Sequence, residues 1–134
     1  PKALERLSEF LRALGVEPLV AEQHASDGRS PDRQVQKHIE DADCGIIFAT
    51  KGGIKDSKSG REHPRLNVID EFARLRSKFP DKVILLLEQG VDLPSNVSEV
   101  IHERFTKGNL EKAFLKVAKE LRAFGMIRAE QPGR

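Results

Sequence analysis

The chain has 134 residues, of which 23 are basic and 21 acidic, so its formal net charge at pH 7 is only +2. This is the length of a single domain, and the balance of charges gives no overall field that would indicate nucleic acid or an anionic membrane as a partner. One cysteine excludes an intramolecular disulfide, and the four histidines show no metal-ligand spacing, so no metal is predicted. Without a membrane-length apolar run or a signal peptide, we expect a soluble cytoplasmic protein.

The first part of the chain alternates helical and strand-like patterns. Apolar residues at helical spacing predict a helix over residues 3–14, and Gly15 follows where a left-handed residue is expected. A short apolar run bounded by turn residues predicts a strand over 18–21. A second helix is expected to turn Val35 and Ile39 inward.

The second part contains further apolar runs separated by loops and helices. Strands are expected over residues 44–50, 83–87 and 101–105, the last as an edge strand. A glycine-rich basic loop over 51–64 follows the first of these, and both a flexible and a functional interpretation are open. Asn109 is expected to cap a last helix that ends at Gly125.

This alternation predicts an α/β fold, an open parallel sheet with helices on both faces. We expect one domain over residues 1–127 and a disordered tail over 128–134. The chain opens directly on a helix, so the first strand of such a sheet is apparently absent. Because ligands bind beyond the carboxyl ends of the strands, the pattern selects Ala49 to Gly53, with Thr50, Lys51 and Gly52 among them, the loop that follows, and the first turns of the helix that begins at Arg65.

That helix carries the carboxylate of greatest interest. At about 100° per residue, Val68 and Phe72 fall on its apolar side and Glu71 on the border with its polar side. Glu71 therefore either faces a cleft beside the sheet or is a solvated residue that pairs with Arg74. Arg74 has another possible partner in Asp70, with the acid first at i,i+4 spacing.

Basic residues flank the strand ends where the sheet geometry places a ligand. Their alternative interpretation is a solvated, mobile loop; they are Arg29, Lys51, Lys55, Lys58, Arg61 and Arg65. Gly52 permits close approach of a backbone to a ligand. Asn67 is expected either to hydrogen-bond a ligand or to cap the start of its helix. The Gly-Lys-Ser/Thr signature of a P-loop is absent.

Four motifs together resemble the bacterial TIR-like family described as predicted nucleotide-binding proteins. The resemblance runs from about Lys2 to Phe124, and its motifs are Gly28-Arg29-Ser30, the run 41–50, Arg65-x-Asn67-Val68-Ile69-x-Glu71, and the run 90–95. It implies a flavodoxin-like TIR domain. The family's usual first strand, and the loop after it, have no counterpart in these 134 residues.

The resemblance also implies a function. Active members of the family cleave NAD+ to nicotinamide and an ADP-ribose product, and they act after self-assembly as antiphage effectors, sometimes fused to a STING-like cyclic-dinucleotide sensor. The family's glutamate corresponds to Glu71, so we expect an NAD+ hydrolase with NAD+ as substrate and no cofactor, whose activity depends on the missing first strand. The alternatives are a catalytically silent TIR-like assembly module and a nucleoside deoxyribosyltransferase-like enzyme.

Overall fold

The structure is a computed structural model that describes residues 2–20, 32–51, 54–64, 66–93 and 101–127. Helices and strands alternate along these ranges, and no helix within them is long and apolar enough to span a bilayer. In chain order the elements are α1 Lys2–Ala13, α2 Asp32–Asp41, β1 Gly45–Ala49, β2 Ile54–Lys55, β3 Glu62–His63, α3 Leu66–Lys78, β4 Val83–Glu88, β5 His102–Phe105 and α4 Glu111–Ala123.

β1, β4 and β5 form a parallel sheet in that order, with β4 in the middle. Ala49 is in register with Leu87, and Glu88 with Phe105. All six residues of β4 are buried, because the run 83–87 is apolar on both faces and helices cover both. The predicted α/β fold, an open parallel sheet with helices on both faces, is thereby confirmed.

Successive side chains of β4 point to opposite faces of the sheet and enter two separate apolar clusters. On one face, Ile84 and Leu86 pack with α1 and α4, where the rings of Phe10 and Phe114 stack with centroids 5.2 Å apart. On the other face, the strand residues pack with Phe72 of α3; the buried members of this second cluster are Ile47, Ala49, Phe72, Val83, Leu85, Leu87 and Val91.

α3 is held against both the sheet and α2. A Cβ placed on Gly45 would lie only 2.8 Å and 2.9 Å from the two methyl groups of Leu75, so the backbone of β1 approaches α3 closely at this glycine. Lys78 donates from Nζ to the carbonyl oxygens of Ile39 and Glu40, each at 2.7 Å. The lysine thus places a charged donor on two carbonyls in the last turn of α2, one of which, that of Ile39, also accepts a bond from the Ala42 N–H at 3.4 Å.

The loop over 51–64, for which a flexible interpretation was open, contains a β-hairpin. β2 and β3 pair antiparallel, and Asp56 closes the turn by accepting a hydrogen bond from the Lys58 N–H at 2.8 Å. The hairpin also joins the segment after β4, because Glu62 pairs with Val91 in a parallel bridge. Its attachment therefore depends on residues far away in the sequence.

Two local predictions were wrong. Residues 18–20 form no strand: Leu19 is 44% exposed, and Pro18 has no N–H for a sheet ladder. Ala21 lies outside the described residues, as does the tail 128–134. Asn109 does not cap α4, because Leu110 occupies the cap position without a side-chain bond, and the Asn109 N–H instead donates to Thr106 in a turn. The predicted left-handed glycines are confirmed, with φ of 83° at Gly15 and 81° at Gly125.

Candidate functional site

The candidate site is the carboxyl edge, the edge of the sheet at which β1, β4 and β5 end. Thr50 and Lys51 leave β1 here as exposed residues, and Glu88 is the last residue of β4. α3 leads from this edge back to the start of β4, so its first turns lie on the same side of the molecule. The rule for ligand sites in open α/β sheets therefore selects these groups together.

Glu71 lies on the border of α3 that the helical pattern predicts. Its side chain is half-buried, between the exposed Asp70 and the buried Phe72. Leu75 packs beside Gly45 at the start of β1, and Glu71 precedes it by one helical turn on the same flank. The carboxylate is consequently nearer to the carboxyl edge than Leu75 is. Glu71 and Arg74 each interact with other groups, so the assignment of Glu71 to catalysis stays a prediction.

A second carboxylate, which sequence reasoning missed, is buried at this edge. Glu88 is 5% exposed, and its Oε1 accepts a hydrogen bond of 2.8 Å from the backbone N–H of Lys51. The sequence does contain a signal for it, since the apolar run 83–87 ends on this one acidic residue. Lys51 was predicted as a ligand residue, and the structure shows that its amide is already engaged within the protein.

The hairpin presents several basic side chains next to the carboxyl edge. Lys55, Lys58 and Arg61 are exposed, but Arg61 is paired: its Nε lies 2.6 Å from Oδ1 of Asp92. The backbone N–H groups of Lys58 and then Ser59 donate to Asp56 and lower the pKa of its carboxyl group below 3.8. The turn is therefore organised around an ionised aspartate, and its lysines are fixed at their backbone.

The segment after β4 is held from two sides. The N–H of Glu62 donates to the Gly90 carbonyl at 2.9 Å, and the N–H of Asp92 donates back to the Glu62 carbonyl at 2.7 Å. From β5, the Arg104 guanidinium donates to the Val91 carbonyl at 3.0 Å. These bonds attach the hairpin to the end of β4 and give the carboxyl edge a defined rim.

The other predicted site residues lie wholly or partly outside the described residues. Arg29, Gly52 and Arg65 are not described, and Asn67 is described only as a backbone position in the first turn of α3. Of the predicted set, the structure brings Thr50 and Lys51 to the carboxyl edge, with Glu71 on the helix beside it. Among the described residues, no three His, Cys, Asp or Glu side chains cluster in a way that would hold a metal ion.

A cleft of about 300 Å³ lies elsewhere, between α2 and α3. Its lining includes Ile39 and Lys78, which are close to the carboxyl termini of their helices. Because α3 runs away from the carboxyl edge, this end of the cleft lies toward the opposite edge of the sheet. The lining of the cleft, which also includes Gln36, Arg74 and Ser77, contains none of the residues assigned to the candidate site.

Cys44 is not equipped to serve as a nucleophile. Burial first, and then the negative charge of Asp43, raise the pKa of its thiol to about 11. Because the thiolate is the reactive form, almost none of it is present near neutral pH.

Residues 1–107 match the family model described as the TIR domain of the CAP12/Pycsar effector protein. The chain belongs to this TIR-domain family. The resemblance found in the sequence motifs is thereby confirmed, and the TIR domain's parallel sheet, covered by α1 and α4 on one face and by α3 on the other, agrees with it.

The TIR domain is also similar to a eukaryotic protein. It is 28% identical over 117 residues to Protein tirC of Dictyostelium discoideum, and the match covers 77% of this chain. The chain spans 58% of the length of that relative.

Proposed function

We propose that this TIR domain cleaves NAD+ at the bond between nicotinamide and ribose, and that Glu71 is its catalytic carboxylate. The observation that supports the proposal is the position of Glu71: it is half-buried on α3, beside the carboxyl edge, in a chain of the CAP12/Pycsar effector TIR family. A half-buried carboxylate interacts more strongly with developing charge than one in open water does.

The reaction needs a group of this kind. When the bond between ribose C1′ and the nicotinamide nitrogen breaks, both electrons go to the ring nitrogen, whose positive charge disappears. Positive charge then develops on the ribose, and a fixed carboxylate stabilises it or holds the ribose hydroxyls. Water then forms a bond to C1′ and loses one proton to the solvent, which gives ADP-ribose, or an adenine nitrogen forms the bond to C1′ and gives a cyclic product. Nicotinamide is already a good leaving group, so one carboxylate suffices.

The remaining groups are proposed to bind the substrate. Lys51 and Thr50 lie where the chain leaves β1, and the lysine ammonium provides a positive charge for the diphosphate. We assign the same role to Arg29 and Arg65, contact with the ribose to Asn67 and close backbone approach to Gly52. The domain is further proposed to act in the cytoplasm in antiphage defence, after self-association and under the control of a fused or associated cyclic-nucleotide sensor.

The proposal is tested by following nicotinamide release from NAD+ by concentrated or artificially clustered protein that includes any residues upstream of these 134, since the expected activity depends on the first strand. Glu71→Gln and Glu71→Ala are expected to lower the rate by about 100-fold or more, the usual loss when one electrostatic group is removed from a transition state. Asp70→Asn is the matched control, since Asp70 is the exposed neighbour on the same helix, and it is expected to retain activity.

Other outcomes select other functions. Release that persists in Glu71→Ala contradicts the assignment of that residue. A wild-type protein that assembles but releases no nicotinamide is a silent assembly module. Exchange of bases between deoxynucleosides would identify a deoxyribosyltransferase-like enzyme instead.

A further inference from the structure

Glu88 occupies an apolar position on the central strand. It is 5% exposed, and Ile84 and Leu86, which share its face of β4, are fully buried in the cluster with α1 and α4. Its neighbour in register on β5 is Phe105, a buried member of the same cluster. Burying a carboxylate among apolar residues costs free energy unless the carboxylate is well hydrogen-bonded. The hydrogen-bond partner of Glu88 therefore indicates the role of this residue.

The partner is the backbone of Lys51. The parallel ladder between β1 and β4 ends at the pair of Ala49 and Leu87. Two residues beyond it, the Lys51 N–H donates to Glu88 Oε1 at 2.8 Å. A charged acceptor makes a stronger bond than a carbonyl does, so the glutamate side chain continues the attachment of β1 to β4 where the backbone ladder has stopped.

The side chain of Lys51 is positioned by a second contact with the same segment. A Cβ on Gly90 would lie 2.9 Å from Lys51 Cε and 3.5 Å from its Nζ, so the lysine passes directly over this glycine. Gly90 has a φ of +97°, a conformation that residues with a side chain rarely adopt. Lys51 is thus located by the Glu88 carboxylate at its backbone and by the absence of a side chain at Gly90.

We propose that Glu88 is a positioning residue of the nucleotide site: by binding the Lys51 amide, it fixes where the chain leaves β1 and aims the Lys51 ammonium at the carboxyl edge. Glu88 does not touch the substrate. Its effect on NAD+ rests on the proposed function, whereas its effect on Lys51 does not. Because the Lys51 N–H is engaged, the group that this residue offers to a phosphate is its ammonium.

The experiment compares three changes at Glu88 in the full chain. Glu88→Leu removes the acceptor and leaves an apolar residue in an apolar place, Glu88→Asp keeps the charge but shortens the reach by one methylene, and Glu88→Gln keeps an acceptor oxygen. Glu103→Gln, a half-buried carboxylate on the neighbouring strand β5, is the matched control. Two properties are measured: amide hydrogen exchange at Lys51 by NMR, and kcat and KM for NAD+ with clustered protein.

In Glu88→Leu and Glu88→Asp, exchange of the Lys51 amide is expected to accelerate about tenfold while that of Leu85 is unchanged. KM for NAD+ is expected to rise five- to tenfold with kcat within twofold of wild type, because a diphosphate contact is made equally in the ground and transition states. Glu88→Gln is expected to keep the Lys51 exchange rate and KM within about twofold of wild type. Glu103→Gln is expected to change neither. If the leucine variant does not fold, the aspartate variant carries the test.

Unchanged Lys51 exchange in the leucine and aspartate variants would overturn the proposal, as would a fall in kcat with KM unchanged. If the wild type cleaves NAD+ but Lys51 exchange is unchanged in the Glu88 variants, the role of Glu88 is refuted and the proposed function is not. If the wild type with any upstream residues is inactive but Lys51 exchange still accelerates in the Glu88 variants, NAD+ cleavage is refuted and Glu88 remains the residue that positions Lys51.

Discussion

Replacing Gly45 by alanine tests whether the packing of α3 on the sheet controls the position of Glu71. The new Cβ would lie 2.8 Å and 2.9 Å from the two methyl carbons of Leu75, and 3.2 Å from its Cγ. Carbon atoms in favourable contact are about 3.5–4.0 Å apart, so Leu75 must retreat by roughly 1 Å or α3 must move away from β1. Since Leu75 is only half-buried, we expect it to yield in part.

The size of the effect follows from two opposing contributions. Overpacking of this kind costs about 1–3 kcal/mol, whereas replacing a strand glycine restricts the unfolded chain and returns about 0.4–1 kcal/mol. The free energy of unfolding of Gly45→Ala is therefore expected to fall by about 1–2 kcal/mol. NAD+ cleavage is expected to fall further than this loss explains at a temperature where the variant is fully folded, because Glu71 lies one turn from Leu75 on the displaced helix.

A double-mutant cycle with Leu75→Ala isolates the contact. Removing the leucine methyl groups makes room for the new Cβ, so the two substitutions together should be about 1 kcal/mol less destabilising than their sum. Urea unfolding followed by circular dichroism gives the stabilities, and nicotinamide release gives the activity. Additive stabilities, or a Gly45→Ala variant as stable and active as wild type, would refute the idea that this contact positions α3.

Three further predictions concern other parts of the fold. The thiol of Cys44 has a pKa raised to about 11 by burial, so iodoacetamide at pH 7.5 should label native protein far more slowly than urea-unfolded protein; equal rates would contradict this. Asp56 has a lowered pKa, so its hydrogen bond stabilises the hairpin turn above pH 3.8 and is lost as the pH falls through the folded-state value; an acid titration of the Lys58 amide by NMR should show this change, and Asp56→Ala should abolish it. Phe114→Leu removes a ring stacked on Phe10 at 5.2 Å and should lower the free energy of unfolding by about 1–2 kcal/mol, measured by urea denaturation, with kcat for NAD+ unchanged.

Local pattern and composition predicted those parts of the fold that depend on local sequence. The apolar run of β4 and the glycines that end α1 and α4 lie where expected, because a strand buried on both faces and a left-handed helix end each require particular residue types. Residues 18–20 have a similarly strand-like composition, yet they form no strand. A short apolar run becomes a strand only if a partner strand accepts it, and no local pattern encodes that partner.

The hairpin shows the same limitation in reverse. The composition of residues 51–64 is that of a mobile loop. The hairpin is nevertheless attached to the segment after β4 by residues distant in the sequence: the Glu62 N–H donates to the Gly90 carbonyl, and Arg61 donates to Asp92, 31 positions away. The contact of Glu88 with Lys51 spans 37 positions. These features of the site depend on which strand ends meet at the carboxyl edge, and the strand order is a property of the whole sheet.

The two carboxylates at this edge reach it from opposite faces of the sheet. Glu71 is carried by α3, which covers the face of Val83, Leu85 and Leu87, whereas Glu88 shares the face of Ile84 that α1 and α4 cover. Glu88 packs in the cluster on the face away from α3, so we expect displacement of α3 to move Glu71 more than Glu88, although β1, which leads to Lys51, packs against α3 through Ile47 and Ala49. The proposed roles are therefore separable: Glu71 acts on the ribose from a helix that can be displaced, and Glu88 places a phosphate-binding lysine from the most deeply buried strand.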